Sequence, residues 1–446
     1  MARAVAESPP VPGYTQMINE DHFVVNEGGK AVVFRETYDD FLKRPKLERM
    51  MFEDFSKLHR NEWVSVIDSY GKTVQKRLGD AWLECPHRRQ YLGGIVFDPT
   101  NAARPDKYNL WRGFAVDSEH GSWEHMRTHI WEVICSKDEV IENYVLNYLA
   151  RMVQKPAEAG QVALVLKGGE GTGKGVVCRA MVKIFGAHGF HVVHATHLVG
   201  QFNSHLRDVI CLFADEAFFA GDAKHTSVLK GIITEPTLAI EAKYANTIMV
   251  PNYLHLLMAS NEEWVVPAGN DARRFCVLDI ASHRASDHEY FKKLYAEMEG
   301  GGLGAMLYDL LNRDISGFNV ANFPRTDALA DQQMRTLKGF DKWWSDALSA
   351  GELPYSASQE TNPVEVCDQI TTGNLFDSYA DFCRQDGSRR LARNTFGKKM
   401  REIATHVPRV NAHIDTRRVA GFDVGSIEQA RQVFCEKMGI AGAFDE

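Results

Sequence analysis

The residues Gly168-Gly169-Glu170-Gly171-Thr172-Gly173-Lys174-Gly175 hold the clearest chemistry in the chain. They follow the apolar run Val162–Lys167, so a buried strand is expected to enter a glycine-rich turn and then a helix. Such a turn aims several backbone N–H groups and a helix N-terminus at one point, which suits a polyphosphate. Lys174 would reach the terminal phosphates, and the expected ligand is a nucleoside triphosphate, ATP, with Mg2+. One position departs from the phosphate-loop pattern. Gly175 stands where a hydroxyl side chain normally helps to hold magnesium, which leaves more of that task to phosphate oxygens, water and a carboxylate elsewhere.

That carboxylate is expected from Asp215-Glu216, which end the apolar run Val209–Ala214, 41 residues after Lys174. Asp215 would hold the metal and Glu216 would polarise the attacking water. A third apolar run, Tyr253–Ala259, ends in Ser260-Asn261, and the amide of Asn261 could bond a γ-phosphate. Next come Arg273 and Arg274, either of which would serve as an arginine finger that stabilises charge on the transferring phosphoryl group.

Placing these groups together takes a particular set of elements. Strands are expected at 162–167, 190–194, 208–214, 253–259 and 274–280, with helices between some of them. That pattern predicts an α/β fold with a parallel sheet covered on both faces. Residues 1–115 read as a small α+β region and 116–154 as a helical lead-in. The ATPase core is expected over 155–318, a helical segment and linker over 319–373, and a basic domain over 374–446. In that last domain the order helix, helix, hairpin is the layout of a winged helix. Within it, residues 384–418 carry ten basic side chains against three acidic ones, a local charge of +7 in a chain of net charge −8. Phosphate contact is therefore expected from Arg389, Arg390, Arg393, Lys398, Lys399, Arg417 and Arg418.

Other features narrow the class. Apolar residues make up 44% and charged residues 25% of the 446, with no apolar run of membrane-spanning length and no secretory core at the N-terminus. A soluble, cytoplasmic protein without a membrane partner is expected. The eight cysteines are scattered singly and read as buried, reduced thiols. His188, His191, His194 and His197 recur every third residue, a spacing that puts strand neighbours on opposite faces, so they read as exposed histidines rather than zinc ligands. On a helix, Trp343-Trp344 would place one ring under the ATPase core and leave the other partly exposed.

The order lysine loop, strand-Asp215-Glu216, strand-Ser260-Asn261, Arg273-Arg274-Phe275 resembles the superfamily 3 helicases, a compact AAA+ class. It is most similar to the helicase part of phage and prophage primase-helicase proteins. Asn109–Phe114, Tyr144–Ala150, Gln154–Pro156 and Leu198–Asn203 extend the likeness, which covers roughly residues 80–446 and is strongest over 140–285. It implies a DNA-contacting hairpin at Ile240–Thr247 with Lys243 at its tip and Lys230 as a lesser contact. It also implies a homo-hexameric ring, an arginine finger supplied by the neighbouring subunit, and 3′-to-5′ movement on single-stranded or forked DNA. Primase chemistry is not expected in this chain and is assigned to a separate protein. The expectation is therefore an ATP-dependent replicative DNA helicase of a phage or mobile element. Its rivals are an initiator or remodelling ATPase that does not unwind, and a DNA-binding module that does not hydrolyse nucleotide.

Overall fold

The computed structural model describes residues 11–40, 44–193, 203–216, 223–241, 247–269, 272–354, 364–411, 418–440 and 444. Lys243, Arg417, His194 and His197 lie outside the described residues, as does the side chain of Arg418.

The chain opens with α1 (Gly13–Asn19), β1 (His22–Glu27), β2 (Lys30–Asp39) and β3 (Arg44–Met50). Then come α2 (Phe52–Leu58), the hairpin β4 (Trp63–Ile67) and β5 (Thr73–Arg77), α3 (Leu78–Glu84) and β6 (Gln90–Tyr91). The sheet order is β3-β2-β1-β6. Alternation sends Val24 and Val33 to one face, with Phe55 and Trp82, and Phe23, Val25, Val32 and Phe34 to the other. Both faces are covered, which is why His22 to Val25 read as an unbroken buried run. A short parallel pair, β7 (Ile95–Val96) and β8 (Tyr108–Asn109), leads onward.

Within the expected helical lead-in of 116–154, helix begins only at Glu124 and comes as two helices. α4 (Glu124–His129) runs into a widened turn at Ile130–Ile134, and α5 spans Glu139–Gln154. Ser136 and Lys137 both take left-handed backbone, φ +49° and +64°, which ends the first helix. Asp138 then starts the second by accepting bonds from the N–H groups of Val140 and Ile141.

β9 (Ala163–Lys167), α6 (Lys174–Phe185), β10 (Gly189–Val192), β11 (Cys211–Asp215) and α7 (Ala223–Thr234) follow. Next are the hairpin β12 (Thr237–Ile240) and β13 (Ile248–Pro251), then β14 (His255–Ser260) and β15 (Phe275–Asp279). Five of these strands form one sheet in the order β10-β11-β14-β9-β15, every pair parallel. Residues 163–166 are all buried, as a strand covered on both faces requires. β11 starts three residues after the expected 208. Val209 and Ile210 are buried there but precede the ladder, in a turn whose Asp208 carbonyl accepts from His188 at 2.7 Å. α8 (His288–Glu297), α9 (Leu303–Asn312) and α10 (Asp327–Thr336) complete this part, and its apolar core runs from Phe97 to Leu329.

A second large core runs from Ala330 to Ile440. It contains α11 (Gly339–Ala350), β16 (Asp368–Thr371), α12 (Thr372–Asp386), α13 (Arg393–Arg401), β17 (Thr405–Asn411), β18 (Arg418–Gly425) and α14 (Ile427–Met438). The strands pair in the order β16-β18-β17. Both Trp343 and Trp344 are buried here, and Trp343 donates to the Ser378 hydroxyl at 3.0 Å. Neither ring lies under the parallel sheet, contrary to expectation, because Tyr379 and Phe396 pack against Trp343 instead, beside Phe340 of the same helix. β16 escapes sequence reading, while β17 and β18 form the expected hairpin. β17 is an edge strand that carries Pro408 where its register slips between Val407 and Val410.

Candidate functional site

The glycine-rich loop lies between the end of β9 and the start of α6. Gly171 and Gly173 take φ +68° and +93°, conformations open to glycine at little cost. The loop is braced from outside the sheet. His129, fully buried, bonds the Gly173 carbonyl through Nε2 and the Tyr290 hydroxyl through Nδ1, each at 3.1 Å. Burial lowers its pKa to about 4, so the ring is neutral and can donate at one nitrogen while accepting at the other. Ser286 N–H donates to the Gly171 carbonyl at 3.2 Å.

Because the strands are parallel, all of their carboxyl ends meet at one edge of the sheet. β14 separates the loop strand from the acidic strand, so Asn261 falls between Lys174 and the carboxylates. Lys174, 8% exposed, bonds the Gly169 carbonyl at 3.2 Å and the Asn261 side-chain oxygen. Asn261 in turn donates to Glu216 Oε1 at 3.3 Å. Burial lowers the lysine's pKa, while Asp215, Glu216 and Glu170 favour its charged form. Glu216 holds a left-handed backbone, φ +55°, with its N–H fixed to the Ala259 carbonyl at 2.8 Å. Non-glycine residues rarely adopt this conformation, and it aims the carboxylate off the strand. Asp215 accepts from Arg179 Nη1 at 3.0 Å and lies 3.3 Å from His191 Nε2.

The structure thus brings Gly168–Gly175, Asp215, Glu216 and Asn261 together. It does not bring Arg273 or Arg274 to them. Both precede β15, at the opposite edge of the sheet, about 16 Å away along a five-residue strand. Arg273 is exposed, and Arg274 donates to the Thr234 hydroxyl at 3.4 Å. Lys230 lies half-buried on α7. β12 and β13 pair from Thr237↔Pro251 to Ile240↔Ile248 and frame the segment that holds Lys243.

A groove of about 720 Å³ in the C-terminal part is lined by Arg393, Lys398 and Arg401 of α13, with the N-terminus of α12 and His406. Arg390 and Arg393 sit over the Phe376 ring, and Arg389 lies in the preceding loop. Lys399 is held on Asp341 at 3.3 Å and over Phe340, and does not line the groove.

Three site features escape sequence reading. Arg179 carries a signal only in its one-turn spacing from Gly175, and His129 carries none. His191 comes beside Asp215 through the pairing of β10 with β11. His188 is fully buried rather than exposed: it accepts from Arg112 N–H at 2.9 Å and stacks on Trp111. Among the cysteines, Cys367 is exposed rather than buried. Among the described residues, no three His, Cys, Asp or Glu side chains converge as a metal site, and no helix is long and apolar enough to cross a membrane. A magnesium ion at this edge would draw on Asp215, with phosphate and water as further ligands, because Gly175 offers no side-chain oxygen.

Fold and site define an α/β protein with five parallel strands and a glycine-rich loop at their carboxyl edge. Residues 166–274 match a protein family described as a family of unknown function, DUF5906. Over 249 residues the chain is 25% identical to the DNA primase-polymerase of Nitratiruptor phage NrS-1, covering 52% of this chain and 34% of that protein. The chain thus spans about a third of that relative's length. Its fold matches apo structures of the NrS-1 C-terminal region with TM-scores of 0.61 and 0.62. Both are 17% identical, and the matches cover 92% of this chain and 98% of that one.

Proposed function

We propose that the protein is an ATP-driven DNA helicase of phage replication, an AAA+ motor of the superfamily 3 kind that works as a hexameric ring. One observation carries this reading. Lys174, Asn261, Glu216 and Asp215 converge at the carboxyl edge of a parallel sheet in which the asparagine strand separates the loop strand from the acidic strand. The likeness to a phage DNA primase-polymerase supports a replication setting.

In this reading the loop N–H groups and Lys174 hold the phosphates of ATP. Asp215 would hold a magnesium ion, which neutralises charge on the phosphoryl oxygens when bound. Glu216 orients a water and accepts its proton as the water oxygen bonds to the γ-phosphorus and the bond to ADP breaks. Asn261 senses the γ-phosphate. Arg273 or Arg274 of a neighbouring subunit completes the site, a role consistent with their distance from their own loop. The β12–β13 hairpin carries Lys243 to single-stranded DNA in the channel, with Lys230 nearby. The C-terminal part acts as a winged helix, with α13 against DNA. Priming is placed in a partner protein.

A second reading, nucleotide binding without turnover, draws on Arg179, which occupies the carboxylate a metal would need. The deciding experiment measures ATP hydrolysis with and without single-stranded DNA, using Lys174→Ala as control. DNA-stimulated turnover lost in the variant, together with strand separation on a forked substrate, supports the helicase. Turnover without separation supports an initiator or remodelling ATPase. Nucleotide binding without turnover supports the second reading.

A further inference from the structure

Glycine is a poor helix former, costing up to about 1 kcal/mol against alanine in a helix interior, so Gly175 in the first turn invites a reason. Its backbone takes no left-handed angle that would supply one. What glycine permits here is the present position of the Arg179 guanidinium. A Cβ at position 175 would stand 2.7 Å from Nη1 and 2.9 Å from Cζ of Arg179. Arg179 lies one turn further along α6, and its guanidinium fills the place that a serine or threonine side chain would take. Its Nη1 donates to Asp215, while 44% of the side chain remains open to solvent.

An exposed ion pair of this kind contributes little to folding. Its position says more. The guanidinium stands at the mouth of the loop, and its charge is felt by Lys174. Two cations side by side suit a ligand carrying several negative charges. Arg179 and a divalent ion would compete for Asp215, since like charges repel. We propose that Arg179 is a phosphate-contacting residue of this site, which turns from Asp215 to the phosphate oxygens when a nucleoside di- or triphosphate binds. The planar fork replaces part of the neutralisation that a hydroxyl-held metal gives in other phosphate loops, and its departure frees Asp215. The chain should therefore bind nucleotide without a divalent ion. This rests on the nucleotide reading above.

The test titrates the full chain with a fluorescent ATP analogue, once in excess EDTA and once in magnesium. It compares the natural protein with Lys174→Ala, Arg179→Ala, Arg179→Lys and Gly175→Ser. In EDTA, Arg179→Ala should weaken binding roughly ten- to a hundredfold, the worth of a hydrogen bond to a charged group. Arg179→Lys should fall between. Gly175→Ser, which pushes the guanidinium aside, should weaken binding in EDTA and depend more on magnesium. Equal binding of Arg179→Ala and the natural protein in EDTA, with Lys174→Ala impaired, overturns the proposal and leaves the nucleotide site standing. If the natural protein fails to bind, or Lys174→Ala binds equally well, the nucleotide reading falls and this proposal with it.

Discussion

Replacing Gly173 by alanine tests the loop geometry directly. At φ +93° an added methyl group would lie 2.6 Å from His129 Cε1 and 2.7 Å from Phe291 Cε1. Left-handed backbone costs an alanine about 1–2 kcal/mol. Forcing a methyl group into filled space costs about 1–3 kcal/mol more. His129 cannot retreat without giving up its bonds to the Gly173 carbonyl and the Tyr290 hydroxyl. The combined penalty, roughly 2–5 kcal/mol, corresponds to a fall in melting temperature of roughly 4–20 °C for a unit of this size. Gly169→Ala is the control, since a Cβ there meets nothing within 4 Å and the backbone angle is not left-handed. It should melt within about 4 °C of the natural protein, a difference of no more than roughly 1 kcal/mol. Calorimetry and binding of an ATP analogue measure both consequences. Gly173→Ala should lose nucleotide binding as well as stability. If the two alanine variants melt together and bind equally, the described loop conformation is wrong.

Acid should destabilise the loop's brace. The unfolded chain protonates His129 near pH 6.5, while the folded chain resists until about pH 4. Stability is therefore lost as pH falls through that window, by about 3 kcal/mol for this residue, and His129→Asn should show a shallower decline in urea midpoints. In the C-terminal groove, Arg393→Ala with Lys398→Ala should weaken DNA binding across all sequences. The slope of log K against log salt should fall by roughly 1.5–2, whereas Lys399→Ala, held on Asp341, should leave it unchanged. Mixing Lys174→Ala protein with the Arg273→Ala/Arg274→Ala double variant should restore hydrolysis at about a quarter of the interfaces by random assortment. A mixture as inactive as its components would count against an arginine supplied by a neighbour.

The parallel sheet is legible because strands buried on both faces read as continuous apolar runs, and all five are found within three residues of their expected bounds. Loop, acidic pair and Asn261 are legible because each directly follows such a run. Illegible features depend on contacts between distant segments. His188 looks like a surface histidine until Arg112 and the Asp208 carbonyl satisfy both ring nitrogens. Trp343 and Trp344 show their helix but not their partners, because Tyr379 and Phe396 arrive more than thirty residues later. Helix breaks at Ser136–Lys137 and before Gly339 are hidden by apolar spacing that continues across them. Cation positions are the least legible, since Lys398 and Lys399 are neighbours in sequence yet face different surroundings.

The strand order also makes Asn261 more than one polar residue among several. With β14 between β9 and β11, one amide oxygen meets Lys174 and the same amide's nitrogen meets Glu216. The two bonds require one orientation of the amide, because oxygen accepts only from the lysine and nitrogen donates only to the carboxylate. On the proposed reading, a ligand that drew Lys174 toward a terminal phosphate would remove the first bond and free Asn261 to turn. Glu216 would then lose the donor that holds it and become available to a water. Its left-handed backbone, fixed by the Ala259 carbonyl, keeps the carboxylate projecting from the strand end throughout. If the site binds nucleotide as proposed, phosphate occupancy and the freedom of the candidate base would be linked through this single side chain.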